Sequence, residues 1–312
     1  MASIAYITDG NMIEFHRLNG NRTMNFWRPS NSKKFTDFVP GDLLFFLAKG
    51  SERGRFREKG IVGYGRFQKA HTLTFRQMWN VYGTENGYAT EEELHDAIVK
   101  VSKNKKMPRQ MNCLYLKDVV FFQSPIYLSE IGVQLSNKVE SYIYLDKEDP
   151  QATSKVLNKA RETGMDIWMA AMSNTPDHQK ALEEEQIKHQ LAQAMQKAED
   201  SFYTESEKKR LRRISRQMIE KKAEEKKIFE LIKGSRTDLY CYTGDRIEII
   251  VPFLYNSKDF SRKLQYLIGH CLMLQSEFQR WSDYHIPVIF EAAAEEELPK
   301  EVLDLLKSLN QR

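Results

Sequence analysis

The sequence predicts an α+β chain: a β-rich N-terminal domain, a long charged helical arm and a small α+β C-terminal unit. Three observations carry this. Residues 1–150 alternate β-branched and aromatic runs with turn pairs such as Asp9-Gly10, Asn19-Gly20, Pro40-Gly41 and Asn86-Gly87. Residues 177–233 contain neither Gly nor Pro and are dense in Glu, Lys, Gln, Arg and Ala, a helix composition. Residues 235–312 return to short apolar runs around Gly244-Asp245. A length of 312 residues suits two ordinary domains, and 41% hydrophobic against 29% charged residues suits a globular chain with very polar stretches. The expected divisions are 1–150, 151–234 and 235–312.

In the first part, Ile4–Thr8 and Met12–Phe15 flank Asp9-Gly10-Asn11 and read as a hairpin. Leu43–Leu47 is a continuous apolar run after Pro-Gly-Asp and reads as a buried strand. Gly60–Phe67 is another strand, in which Gly63 and Gly65 signal a bulge or a close backbone approach. Phe75–Tyr82 and Glu91–Val101 read as helices, the second opened by a Thr90/Glu93 capping pattern. Leu114–Phe122, Ile126–Leu128 and Ser141–Leu145 complete the strand set.

An unbroken helix over 177–233, roughly 57 residues, would be about 85 Å long. Its apolar positions, among them Leu182, Ile187, Leu191, Leu211 and Ile214, are too irregular for a heptad, so a break near Ser201–Glu207 is expected, giving a helical hairpin or bent arm. A coiled-coil or homodimer contact, or a protein partner, would use residues 178–233. Beyond the arm, Asp238–Thr243 and Arg246–Phe253 form a hairpin, Phe260–Trp281 a long helix, Ile286–Phe290 a strand and Glu301–Leu309 a last helix, in the order β-β-α-β-α.

A net charge of +4 permits nucleic-acid binding without demanding it. Cys113, Cys241 and Cys271 lie far apart, with no CxxC and no Cys/His cluster, which argues against structural zinc and a disulfide framework. The start MASIAYITDG has no basic n-region and no long apolar stretch, and no run approaches a membrane span, so a cytoplasmic protein is expected. No P-loop, GxSxG, HExxH or dinucleotide fingerprint occurs, so neither a metal nor another cofactor is expected.

The informative stretch is Asn25-Phe26-Trp27-Arg28-Pro29-Ser30, then Pro40-Gly41-Asp42-Leu43-Leu44-Phe45-Phe46-Leu47, Gly60-Ile61-Val62-Gly63-Tyr64-Gly65-Arg66-Phe67, Trp79-Asn80-Val81-Tyr82-Gly83, Asn86-Gly87 and Asn112–Phe122. Over residues 20–145 this series resembles the N-terminal domain of a bacterial family described as HNH-type restriction endonucleases. Its element order also resembles PUA-like and EVE-type domains, which are small twisted β-barrels. The resemblance implies a domain that holds an RNA strand or a flipped, often modified, DNA base, and a role in defence against foreign DNA. Carried onto this chain, the base pocket would comprise Asn25, Phe26, Trp27, Ser30, Lys49, Tyr64, Trp79 and Tyr82.

The residue chemistry runs the same way. Extruding a base costs a few kcal/mol, and aromatic stacking returns roughly 1–3 kcal/mol per base. Cations supply sequence-independent attraction to phosphate. Arg28, Lys33 and Lys34 follow the aromatic pair, and Arg53, Arg55 and Arg57 lie in the Gly50–Gly60 segment, expected as a loop along a sugar-phosphate backbone. Each residue also has a plain structural reading: Trp27, Trp79 and Tyr64 as core, the arginines as a solvated loop.

The resembled family continues into an HNH nuclease. Cys241-Tyr242-Thr243-Gly244 matches the opening of that signature superficially, but Asp245–Pro252 contains no histidine where the catalytic one belongs, and His270 and His285 are not spaced as an HNH pair. Nuclease activity is therefore not expected from that motif, and the enzyme question stays open, leaning to a non-catalytic protein. The sequence reading is a reader of a modified or flipped base, with DNA favoured over RNA. The alternatives are a metal-dependent nuclease built on Asp245, Glu248 and Glu291 with Lys258 or Lys263, and a scaffold acting through the arm.

Overall fold

A computed structural model describes residues 3–29, 35–102, 104–133, 141–172, 178–196, 202–256, 258–281 and 286–311. The chain divides into two compact units, Met1–Glu183 and Glu184–Arg312. The stretch expected as one arm is thereby shared: 151–183 belongs with the first unit and 184–234 with the second.

The first unit runs β1 (Ile4–Thr8), α1 (Gly10–Leu18), β2 (Met24–Arg28), β3 (Leu43–Ala48), β4 (Ile61–Leu73), α2 (Phe75–Tyr82), α3 (Glu91–Val101), β5 (Met111–Ile126), β6 (Tyr142–Tyr144), α4 (Leu145–Glu148), α5 (Ala152–Thr163) and α6 (Ile167–Met172). Helix α7 (His178–Gln196) begins in this unit and ends in the next. The strands form one mixed sheet in the order β2-β5-β4-β3-β1-β6, with β1 and β3 parallel. Four strand spacings separate β2 from β1, about 19 Å in a flat sheet, yet the Tyr6 and Phe26 rings meet edge-on at 4.9 Å. The sheet therefore curls on itself.

Strand β3 shows why both faces are buried. Leu44 and Phe46 join the core holding Phe26, Phe67 and Phe121, while Leu43, Phe45 and Leu47 join Tyr64, Phe122 and α5 residues Val156 and Leu157 on the other face. The two-residue strand period assigns every side chain to one core or the other. The pairing of β4 with β5 shifts register at three places between Ile61 and Lys69. Gly63 sits where a Cβ would lie 2.2 Å from the Val120 carbonyl oxygen, so both the bulge and the close approach read from the glycines are present.

Two local expectations are corrected. Met12–Phe15 belongs to helix α1, not to a hairpin strand: the Asp9 carboxylate accepts from the Asn11 N–H, and Met12, Ile13 and His16 turn inward at helical spacing. The separate strand expected over Ile126–Leu128 is absent: Ile126 ends β5, and Leu128–Ile131 is a single 3₁₀ turn.

The second unit holds the end of α7, then α8 (Glu205–Glu224), β7 (Glu230–Leu231), β8 (Leu239–Tyr242), β9 (Ile247–Pro252), α9 (Phe260–Trp281), β10 (Val288–Ala293) and α10 (Lys300–Leu309). A complete Thr204/Glu207 capping box starts α8. The sheet order is β10-β9-β8-β7, with β9 and β10 parallel across α9. Ile249 and Val251 face a core with α9, α10 and Ile187, Leu191 and Met195 of α7, while Ile250 faces Leu211 and Ile214 of α8. The apolar positions Ile187, Leu191, Met195, Leu211 and Ile214 thus pack against the sheet and helices of the second unit itself. Part of the basic run of α8 is paired: Arg210 and Arg213 with Glu295, Lys222 with Glu291.

Candidate nucleic-acid interface

The expected pocket residues do not converge. Asn25 is fully buried and its amide donates to the Asn86 side-chain oxygen at 2.8 Å; the Trp27 indole N–H donates to the Asn86 carbonyl at 3.0 Å. Asn86 closes the network by donating to the Gly83 carbonyl at 2.7 Å. Phe26 fills the curled sheet beside Phe46. Tyr64 lies in the opposite core between Phe45 and Phe122. Tyr82 is buried against Tyr115, while Trp79 is half-buried on the same core as Trp27. Lys49 is exposed just after β3. Ser30, Lys33 and Lys34 lie outside the described residues. Asn25, Phe26, Trp27, Tyr64 and Tyr82 are thus structural by position, because both sheet faces are covered.

Arg28 is not a surface cation. It is 5% exposed, with its guanidinium 4.4 Å from the Phe35 ring and 5.8 Å from the Tyr6 ring. Tyr6 stacks on Tyr142 at 5.8 Å, and Phe35 meets Tyr142 edge-on at 4.9 Å. Arg28, the last residue of β2, therefore sits against a half-buried aromatic cluster of Tyr6 on β1, Tyr142 on β6 and Phe35.

The basic segment between β3 and β4 is ordered from its stem upward. Arg53 and Glu58 exchange backbone hydrogen bonds at 2.9 and 3.0 Å. The Arg53 guanidinium lies 3.4 Å from the Tyr127 ring centroid and pairs with Glu130, and Glu58 accepts from the Ser129 N–H and hydroxyl at 2.9 and 2.6 Å. That ion pair holds the Glu130 carboxyl below its ordinary range. The Tyr127 hydroxyl donates to the Ser51 carbonyl at 2.8 Å, and the Ser51 hydroxyl accepts from the Gly60 N–H at 2.9 Å. Arg53, expected on phosphate, is therefore a staple.

Above the staple the chain turns through Gly54 (φ +65°) and Arg57 (φ +51°). The tip presents Phe56, 89% exposed, between exposed Arg55 and Arg57, neither of which has an ion-pair partner among the described residues. Phe56 escaped the sequence reading because phenylalanine is ordinarily counted toward a core. The available signal was its place between two arginines in a glycine-bounded loop.

The carboxylates of the nuclease alternative are held apart by separate partners. Glu248 accepts from Lys227 at 2.6 Å and from Arg246 at 3.0 Å, Glu291 pairs with Lys222 at 3.0 Å, and Asp245 accepts from the Thr243 hydroxyl at 2.6 Å. Lys263 pairs with Glu207, and Lys258 is exposed. Among the described residues no three His, Cys, Asp or Glu side chains gather as a metal site. Cys113, Cys241 and Cys271 are buried and unbridged, and burial raises all three thiols, Cys113 to about 11. No described helix is long and apolar enough to cross a membrane.

No protein-family model matches the chain, and no curated protein matches it. Among solved structures, the chain is similar to ASCH from Zymomonas mobilis, at 14% identity and a TM-score of 0.35 over 50% of this chain and 94% of that one. A point mutant of the same protein gives 14% identity and a TM-score of 0.36 over 51% of this chain and 98% of that one.

Proposed function

We propose that the first unit is a PUA/EVE-like barrel that binds nucleic acid, DNA in preference to RNA, and reads an extruded or modified base, in the service of defence against foreign DNA. The observation that carries this is the stapled tip: a nearly fully exposed phenylalanine held between two exposed guanidiniums. An aromatic wedge pays for its exposure when it enters a base stack, and flanking arginines meet the phosphates on either side. The staple removes ordering cost from binding, because the turn is already held. Lys49, at the root of the loop, adds a further cation. The extruded base would go to the half-buried Tyr6, Phe35 and Tyr142 rings beside Arg28, a cluster that the Ser30–Lys34 segment adjoins in sequence.

The test uses duplexes carrying a fluorescent base analogue next to unmodified or modified cytosine. Wild-type protein should bind with rising fluorescence as the base unstacks, and more tightly where cytosine is modified. Phe56→Ala should keep its fold and lose roughly 1–3 kcal/mol of binding, five- to 150-fold. A folded variant that binds and unstacks like wild type removes the wedge from the reading.

A further inference from the structure

The second unit holds a pocket that the base-reading proposal does not use. It lies between α8, α9, the end of β9 and the 234–238 loop, and its water-sized space is about 60 Å³. One water needs roughly 10–15 Å³ by this measure, so the space takes about four to six heavy atoms, the size of a phosphoryl group.

Its lining divides by chemistry. Leu211, Val251, Pro252 and Leu267 form an apolar wall. The same lining holds Lys208 and Arg212, one helical turn apart on α8, and Arg236 from the loop. Like charges at this spacing repel each other unless an anion lies between them. Lys208 pairs with Glu205 at 3.3 Å, which meets part of its charge. The Arg212 Nε is buried and has no hydrogen-bond partner among the described residues. Arg236 is exposed and has no ion-pair partner among them. His270 and the buried Asp238 also line the pocket, with the imidazole bonded to that carboxylate at 2.9 Å, which leaves it oriented, and stacked on Tyr266 at 5.9 Å. A buried guanidinium nitrogen left unmatched is costly, whereas guanidinium forks fit tetrahedral oxyanions.

We infer that this pocket binds a phosphoryl group, gripped by Arg212 and Arg236, with Lys208 supplying charge and His270 an imidazole edge. Free phosphate, a nucleotide and the phosphorylated end of a strand share this chemistry.

Calorimetric titration of the full chain decides the matter, using inorganic phosphate, adenosine monophosphate, and single strands bearing a 5′-phosphate or a 5′-hydroxyl, at matched ionic strength. Wild type should bind inorganic phosphate, with sulfate competing and chloride not. A tighter monophosphate marks a nucleotide site; preference for the phosphorylated over the hydroxyl strand marks a strand-end site. Arg236→Gln changes an exposed side chain, so its fold should survive, and it should weaken phosphate binding about tenfold. Arg212→Gln should do the same. Phe56→Ala should leave phosphate binding intact, which separates this site from the tip. Absence of binding to every phosphate probe, or unchanged phosphate binding in Arg236→Gln, overturns the inference.

Discussion

Asn86 shows how much one residue carries. It joins β2 to the segment after α2 through the Asn25 amide, the Trp27 indole and the Gly83 carbonyl. Asn86→Ala strands the buried Asn25 amide and should cost about 1–3 kcal/mol, read as a lower urea midpoint at unchanged slope. His16 sets a pH dependence. It is fully buried, its Nε2 has no hydrogen-bond partner among the described residues, and burial depresses its pKa from 6.5 to about 4. Above about 6.5 the imidazole is neutral in both states and its contribution is intact. As pH falls from 6.5 toward 4, the unfolded chain takes up the proton first, and up to about 3 kcal/mol is lost. His189 in the second unit acts with the same sign, depressed to about 3 by its burial. Unfolding measured at pH 7 and pH 5 should therefore show a smaller drop for His16→Gln than for wild type. An equal drop would remove His16 from the account.

At the scale of elements, apolar spacing carried Phe75–Tyr82 and Phe260–Trp281, which are helices with the expected ends, and the Gly244-Asp245 turn joins β8 to β9. Met12–Phe15 is helical rather than extended, since four residues are too few to separate a period of 2 from one of 3.6. The glycines of β4 were legible because a glycine inside a strand has few other uses. Gly63→Ala would push its Cβ onto the Val120 carbonyl and the Phe121 Cα, both backbone, so the ladder must open. The expected cost is about 3 kcal/mol, measured by denaturant titration. The loop tip was half legible: the basic residues stood out, but the roles divided against expectation. Arg53 stacks on Tyr127 and holds the turn, while Arg55 and Arg57 stay exposed.

For the molecule as a whole, a net charge of +4 is too small to attract nucleic acid by itself, so the attraction must be local. Affinity measured against salt reports how many phosphates are neutralised, at roughly 0.9 in log–log slope for each. Arg55→Gln with Arg57→Gln should lower that slope by about two, whereas Arg28→Gln should leave it unchanged, since Arg28 is buried among aromatic rings. A slope that ignores the tip arginines would place the phosphate contacts elsewhere.

The sequence alone determined the fold class and most of the elements, because periodicity, turn residues and helix caps act over a few neighbours. It did not determine which face of the sheet was open. The residues that look like a pocket in one dimension, Asn25, Trp27 and Tyr64, are buried in two different cores, since α1 to α3 cover one face and α5 the other. Nor did it show that Lys208, Arg212, Arg236 and His270 share one small space, as they lie up to 62 positions apart. Burial and convergence are properties of long-range packing. Only the tertiary structure decided them, turning an expected aromatic pocket into a core and leaving Phe56 exposed at the loop tip.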